Sequence, residues 1–150
     1  MQGAKAIRYA SMGFVLGLVL AGCSRGTPEQ QLRQSVGRLQ AGIESRDAGV
    51  VKETLADDFI GPGGLDRNGA VRLAQLNFLR QRSIGATLGP LQIQWFPSAS
   101  APDHAAVDFS AVLTGGSGAT LPDQAQVYQV KTGWRRRGDA WLLTSATWSP

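Results

Sequence analysis

The stretch Leu55-Ala56-Asp57-Asp58-Phe59, with Gly61-Pro62-Gly63-Gly64 behind it, decides the fold of this chain. The first segment is typical of the closing turn of a short helix, and the second breaks any regular element. Asp66 then has the character of an N-cap and predicts a helix over about residues 67–81. The inward face of that helix is predicted to carry Leu73, Leu76 and Leu79, with Ala70 and Phe78 nearby.

Toward the N-terminus, the sequence predicts two more helices. Thr27, Pro28 and Gln30 match an N-cap, a first helical position and a capping box. An apolar stripe follows at spacings of four, three and four, and it predicts an amphipathic helix over about residues 28–45: Leu32, Val36, Leu39 and Ile43. Asp47 is the expected N-cap of a short second helix.

Toward the C-terminus, the apolar period changes to two, which indicates strands. About four antiparallel strands are expected, around residues 91–95, 106–113, 128–134 and 141–148. Gly115 to Gly118 is predicted to be a flexible loop or the end of a hairpin, and Arg137-Gly138-Asp139 a tight turn. Helices followed by strands define a segregated α+β domain.

The order of these features resembles the nuclear transport factor 2-like superfamily. The resemblance rests on the helix junction at Arg46-Asp47, the Leu55–Phe59 segment, the glycine corner, the capped third helix and the Trp-led last strand. It implies a cone: three N-terminal helices packed on a strongly bent antiparallel sheet of about four strands, open at one end. The superfamily contains isomerases, cyclases, dehydratases and non-catalytic domains, so the fold alone does not give a function.

The resemblance implies that an isomerase would carry a tyrosine, an aspartate that acts as the general base and a second aspartate that stays protonated. Matching the Ala-Asp-Asp segments places Leu39, Gly63 and Val130 at those three positions. The isomerase residues are therefore missing. Asp66 is an alternative base, although capping the third helix already engages its carboxylate.

Cyclase-like members use a histidine–aspartate pair, for which His104 and Asp108 are the candidates. They are four residues apart on one strand and share a face, which the pattern assigns to the outside of the sheet. The neighbours Asp57 and Asp58 do not face each other on a helical end. No catalytic residue is therefore assigned.

The aromatic side chains are too many to lie all on the surface of one small domain. Each is either a core residue or part of the wall of a cavity for a small apolar ligand. The candidate pocket-lining residues are Phe59, Trp95, Phe109, Tyr128 and Trp134. Among them, Tyr128 has a hydroxyl that can orient a polar group of a ligand.

The N-terminal segment predicts export and anchoring. Lys5 and Arg8 precede an apolar run too short to span a bilayer, as in a signal peptide. Leu20-Ala21-Gly22-Cys23 resembles a bacterial lipobox, which implies a lipid on the Cys23 sulfur; the alternative is an ordinary cleaved signal. We expect a signal peptide at 1–22, a lipidated tether at 23–27 and one domain at 28–150. The resemblance, with Ser24 after the cysteine, implies the outer membrane, facing the periplasm.

Composition narrows the function further. Removal of residues 1–23 leaves 13 basic and 11 acidic residues, so a nucleic-acid partner is not expected. His104 is the only histidine and Cys23 the only cysteine, so neither a metal site nor a cofactor is expected. Three hypotheses remain: a lipid-anchored non-catalytic domain that binds a small apolar ligand or a partner, an isomerase, dehydratase or cyclase with an unrecognised site, and an accessory structural lipoprotein. The resemblance also implies a homodimer through the outer sheet face.

Overall fold

The computed structural model of the chain describes residues 25–116 and 124–150. Within them, three α-helices precede or interrupt a six-stranded sheet. The predicted signal peptide, the lipid attachment site Cys23 and the second half of the predicted loop, Ser117 and Gly118, lie outside the described residues. The first half, Gly115 and Gly116, belongs to a strand. In the described part of the chain, every helix is too short or too polar to cross a membrane.

The three predicted helices are confirmed, each with its predicted N-cap. Helix α1 spans Pro28–Glu44 and begins with the capping box of Thr27 and Gln30. Helix α2 spans Ala48–Thr54 behind Asp47, whose carboxylate accepts hydrogen bonds from two backbone amides. Helix α3 spans Arg67–Arg80 and follows the cap Asp66. These caps were predictable because they depend on residues close together in sequence.

The strands are β1 Leu55–Ile60, β2 Ser83–Leu88, β3 Gln92–Phe96, β4 His104–Gly116, β5 Gln124–Arg137 and β6 Ala140–Ser149. Their order in the sheet is β1-β6-β5-β4-β2, and β3 also pairs with β4. The sheet is antiparallel except where β1 runs parallel to β6. The α+β class is confirmed, but the expectation of about four strands in a purely antiparallel sheet is wrong.

The Leu55–Phe59 segment is a strand, not the end of a helix. Leu55 pairs with Leu143, and Ile60 pairs with Ser145, so the segment becomes β1 at the edge of the sheet. The apolar spacing of Leu55 and Phe59 fits a helical turn equally well, and only the distant strand β6 selects the extended form. Asp57 and Asp58 consequently lie on a strand and are both exposed.

The predicted inward face of α3 is confirmed for Ala70 and Phe78 but wrong for Leu76 and Leu79. Leu73, Leu76 and Leu79 are exposed by 43%, 51% and 84%. The side turned toward the rest of the domain carries Ala70, Val71, Ala74 and Phe78. Helix α3 contains no fully buried residue, because it packs on α2 and β1 and leaves a space between itself and the sheet.

The core lies between α1, α2 and the concave face of the sheet. It is built from the following buried side chains: Leu32, Val36, Val51, Leu55, Phe59, Ala105, Val107, Trp134, Trp141, Leu143 and Ala146. Trp134 and Trp141 are the largest fully buried side chains of the described residues. The first cap of the domain is Thr27, so the part from Ser24 onward contains all of the described core.

Candidate functional site

A hollow of about 1030 Å³ lies between α1, α3 and the concave face of the sheet. This is at the upper end of the range of about 300–1,000 Å³ that is usual for ligand pockets. Its described wall carries no charged side chain. The polar side chains on the wall are Gln40, Asn77, Gln81, Thr114, Gln124, Gln126, Tyr128 and Thr132.

The base of the hollow is closed by a buried hydrogen-bonded chain. The indole Nε1 of Trp134 donates to Thr132 Oγ1 at 2.8 Å, and that hydroxyl donates to the Val107 carbonyl at 2.8 Å. All three residues are buried. Because the indole donor is satisfied inside the protein, the base presents an apolar ring surface without an unpaired polar atom.

Strand β5 carries a gradient of polarity along the wall of the hollow. Alternate side chains of a strand share a face, so Gln124, Gln126, Tyr128, Thr132 and Trp134 all point to the hollow. The two glutamines are exposed, Tyr128 is half-buried and the last two residues are buried. The hollow is therefore wet and polar near residue 124 and dry near residue 134.

Two backbone contacts hold α1 against the sheet at one side of the hollow. Gln40 Nε2 donates to the Ala86 carbonyl at 2.6 Å, and the Ala86 amide donates to Glu44 Oε1 at 3.0 Å. Both backbone groups of Ala86 in strand β2, its amide and its carbonyl, thus form hydrogen bonds with side chains of α1.

The mouth of the hollow is closed on one side by Gln81. Its side chain lies over Gly115, where a Cβ atom would stand 2.9 Å from Gln81 Oε1. A side chain at position 115 would therefore displace the flexible end of Gln81. Arg46 Nη1 donates to the Gln81 carbonyl at 3.2 Å and fixes the junction of α1 and α2 beside the mouth.

Three of the ionisable residues that the sequence offered for acid–base chemistry are engaged away from the hollow. Asp66 Oδ1 accepts from the Gly69 amide at 2.7 Å. His104 is exposed, and its Nδ1 lies 2.8 Å from Asp103 Oδ1. Asp58 accepts two hydrogen bonds from Arg135, at 2.8 and 2.9 Å, and this guanidinium holds the pKa of Asp58 below its usual value.

Tyr128 is the one ionisable side chain on the described wall of the hollow. The residues matched to isomerase positions are placed differently. Leu39 and Val130 line the hollow, but Gly63 lies in a short 3₁₀ helix with a φ of 65°. The hollow thus carries an apolar side chain at two positions where an isomerase would have polar groups.

Other charged groups form separate pairs on the surface. Asp57 lies 3.1 Å from Arg67, so the two neighbouring aspartates Asp57 and Asp58 bind different arginines. Asp108 pairs with Gln92 and Lys131 in the sheet register and lies on the outer face. Among the described residues, no three His, Cys, Asp or Glu side chains come close enough to hold a metal ion.

The structure brings together four of the five candidate pocket residues. Phe59, Phe109, Tyr128 and Trp134 lie on the wall of the hollow. Trp95 lies elsewhere, and its ring packs against Trp141 with centroids 5.7 Å apart. The sequence analysis missed Trp148 and the amide side chains of the wall, although the period-two pattern of β5 already placed Gln124 and Gln126 on the face of Trp134.

Comparisons with known proteins identify the fold but give no relative close in sequence. No family model matches the sequence, and no curated protein matches it. A solved structure from Bdellovibrio bacteriovorus matches with a TM-score of 0.68 and 14% identity, over 81% of this chain. This chain spans 40% of the length of that protein.

Two further structures cover most of both chains. A provisionally assigned dehydratase of the nuclear transport factor 2-like family from Streptomyces avermitilis has a TM-score of 0.65 and 20% identity, over 81% of this chain and 94% of its own. A provisionally assigned scytalone dehydratase from Novosphingobium aromaticivorans has a TM-score of 0.69 and 10% identity, over 80% and 81%. The chain therefore has the cone-shaped α+β fold of the nuclear transport factor 2-like superfamily.

Proposed function

We propose that this chain is a lipid-anchored domain of the bacterial envelope that binds an apolar small molecule in its hollow and does not transform it. The observation that supports the proposal most is the wall of the hollow, whose described side chains are all uncharged. Burial of apolar ligand surface there would be favourable, at about 25 cal/mol per Å². The described wall carries no Asp, Glu, His or Lys side chain that could transfer a proton to or from a ligand.

A binding titration with the neutral, apolar dye Nile red tests this proposal on the segment Ser24–Pro150. We expect saturable binding with a rise in dye fluorescence and a negative heat-capacity change, since apolar surface is buried. Ala74→Trp should abolish the binding, because Ala74 lies on the hollow side of α3. Gln75→Trp is the matched control, since Gln75 is its exposed neighbour on the same helix.

The same experiment can contradict the proposal. Both variants should keep the far-ultraviolet circular dichroism of the unmodified chain, because α3 contains no fully buried residue. Unchanged Nile red binding by a folded Ala74→Trp variant would show that the dye binds somewhere other than the hollow. Absence of binding by the unmodified chain would remove the proposal altogether.

The anchor is proposed from Cys23 and the segment before it. Substitution Cys23→Ser should leave an uncleaved precursor without lipid, because the thiol is the group that would be alkylated. Mass spectrometry of the full chain, recovered from a bacterial membrane fraction, measures both events. A normally processed Cys23→Ser chain would contradict lipidation, and recovery of the lipidated form from the inner membrane alone would contradict outer-membrane sorting.

The second candidate function is a dehydratase-like, isomerase-like or cyclase-like enzyme. The observation in its favour is the Tyr128 hydroxyl on the wall of the hollow, because a phenol can donate or accept a proton. Two structural neighbours are also provisionally assigned dehydratases. Tyr128→Phe separates the two functions: for an enzyme, turnover of any identified substrate should fall by about 10²-fold or more, whereas for a binding domain only affinity changes modestly.

A homodimer through the outer face of the sheet stays a prediction. The described outer face carries polar residues such as Gln129 and Lys131, together with a cross-strand pair of exposed valines, Val112 and Val127. Native mass spectrometry of Ser24–Pro150 counts the subunits. A dimer that persists in Val127→Lys would show that the outer face is not the interface.

A further inference from the structure

The arginines of the domain fall into two groups according to their partners. Five of them form an ion pair with a carboxylate: Arg25, Arg33, Arg38, Arg67 and Arg135. The other six arginines of the ranges 25–116 and 124–150 form no such pair: Arg46, Arg72, Arg80, Arg82, Arg136 and Arg137. Arg80 and Arg82 lie at the C-terminal end of α3, and Arg46 contacts the same place through the Gln81 carbonyl.

Three of these arginines lie beside Gln81, which lines the hollow, and we name them the arginine corner: Arg46, Arg80 and Arg82. Arg46 donates to the Gln81 carbonyl, and Arg80 and Arg82 flank Gln81 in sequence. The amide of Arg82 donates to the Gly116 carbonyl at 3.0 Å, which fixes this corner to the end of β4. All three arginine side chains belong to exposed residues.

The acidic residues nearest in sequence to the arginine corner are engaged with backbone amides. Glu44 accepts from the Ala86 amide at 3.0 Å, inside the tie between α1 and β2. Asp47 accepts from the Gly49 and Val50 amides as the N-cap of α2. Among the described residues, no carboxylate forms an ion pair with any of the three arginines.

We propose that the hollow takes the hydrocarbon chain of an anionic single-chain amphiphile, whose carboxylate or phosphate head stays at the arginine corner. This inference rests on the proposed function of the hollow. The apolar base fits a hydrocarbon chain, and the absence of charge on the described wall keeps a charged head out because its desolvation is costly. The corner supplies the opposite charge at the mouth, where water still solvates the head.

Strand β5 lines the hollow between Gln124 and Trp134, a stretch of about 33 Å at about 3.3 Å per residue. Each fully buried methylene should tighten binding by about fourfold. A chain-length series should therefore tighten steadily and then stop once the chain exceeds the hollow.

Displacement of Nile red from Ser24–Pro150 by four probes tests the inference. Palmitate and palmitoyl lysophosphatidate are anionic, monopalmitoylglycerol is neutral and palmitoylcholine is cationic, and all carry the same chain. Each exposed arginine should contribute about 1.5- to 5-fold, so the anionic probes should bind about tenfold tighter than the neutral one. This preference should shrink in high salt because exposed charges are screened.

Tighter binding of either anionic probe than of the neutral probe supports the inference. The ratio of the affinities for palmitate and palmitoyl lysophosphatidate then shows whether the ligand is a fatty acid or a phospholipid. Equal affinity for the anionic and neutral probes would overturn the inference and leave the proposed function standing. Failure of Nile red itself to bind would overturn the proposed function instead. Tightest binding of palmitoylcholine would overturn the inference as well.

The variant Arg80→Gln/Arg82→Gln tests the corner directly. It should bring the ratio of palmitate to monopalmitoylglycerol affinity close to one without weakening the neutral probe. Arg137→Gln is the matched control, because Arg137 is an exposed arginine at the opposite end of β5. An unchanged ratio in the double variant would overturn the inference, as would an equal loss in Arg137→Gln.

Discussion

The buried chain Trp134–Thr132–Val107 allows a quantitative prediction about the base of the hollow. Thr132→Val keeps the shape of the side chain but removes the hydroxyl. The substitution removes one acceptor and one donor and leaves Trp134 Nε1 buried without a partner. Trp134 is 2% exposed, so water cannot replace the lost acceptor.

The expected cost follows from these contacts. An unsatisfied buried donor costs about 1–3 kcal/mol, and the lost bond to the Val107 carbonyl adds about 0.5–1.5 kcal/mol. The extra methyl group offsets part of this by about 0.8 kcal/mol. We expect Thr132→Val to lower the free energy of unfolding by about 2 kcal/mol. This is a large share of the total free energy of unfolding, which is about 5–15 kcal/mol for most proteins.

A double-mutant cycle with Trp134→Phe isolates the indole–hydroxyl bond. In the Trp134→Phe background no indole donor remains, so Thr132→Val should cost only about 0.5 kcal/mol. Urea denaturation followed by far-ultraviolet circular dichroism gives all four free energies, since a change in midpoint at constant slope reports stability. Additivity within about 0.5 kcal/mol, or a cost of the single Thr132→Val change below that value, would refute the reasoning.

Two further predictions concern charge and backbone. Arg135 lowers the pKa of Asp58 below its ordinary 3.8, so their pair stabilises the fold above about pH 4 and loses this effect as the pH falls through the lowered pKa. The stability deficit of Asp58→Asn seen near neutral pH should therefore shrink as the pH falls from about 4 through the lowered pKa, whereas a constant deficit would contradict the assigned pair. Gly64 has a φ of 78° and open space at its Cβ position, so Gly64→Ala should cost about 1 kcal/mol by urea denaturation. Gly37→Ala, on an exposed face inside α1 with equal space, should stabilise by about 0.5–1 kcal/mol, and equal signs for the two glycines would contradict the backbone argument.

Local sequence signals predicted the helices and the long strands well. The capping box of Thr27 and the caps Asp47 and Asp66 involve residues within three positions of one another, so the sequence contains the whole motif. The face of β5 was also predictable, because Tyr128, Val130, Thr132 and Trp134 alternate with polar residues. Of the six aromatic residues on the described wall, four were predicted to line a pocket: Phe59, Phe109, Tyr128 and Trp134.

The features that were mispredicted depend on distant partners. Strand β1 is extended because Leu55 and Ile60 meet β6, which lies more than 80 positions later in the chain. Strand β2 was missed because Gly85 interrupts its pattern and its pairing with β4 alone defines it. In helix α3, Leu73 lines the hollow whereas Leu76 and Leu79 are exposed, and no local pattern distinguishes a packed neighbour from an open space.

The central claim is that the hollow holds an apolar chain with its head at the arginine corner. The most direct measurement is the anomalous scattering of bromine in a crystal of Ser24–Pro150 bound to palmitate that carries bromine on its terminal carbon. The account predicts a single strong peak at the base, beside Phe109 and Trp134, and carboxylate density near Arg46. A bromine peak on the outer face of the sheet, or a reversed ligand with its carboxylate at Trp134, would contradict it.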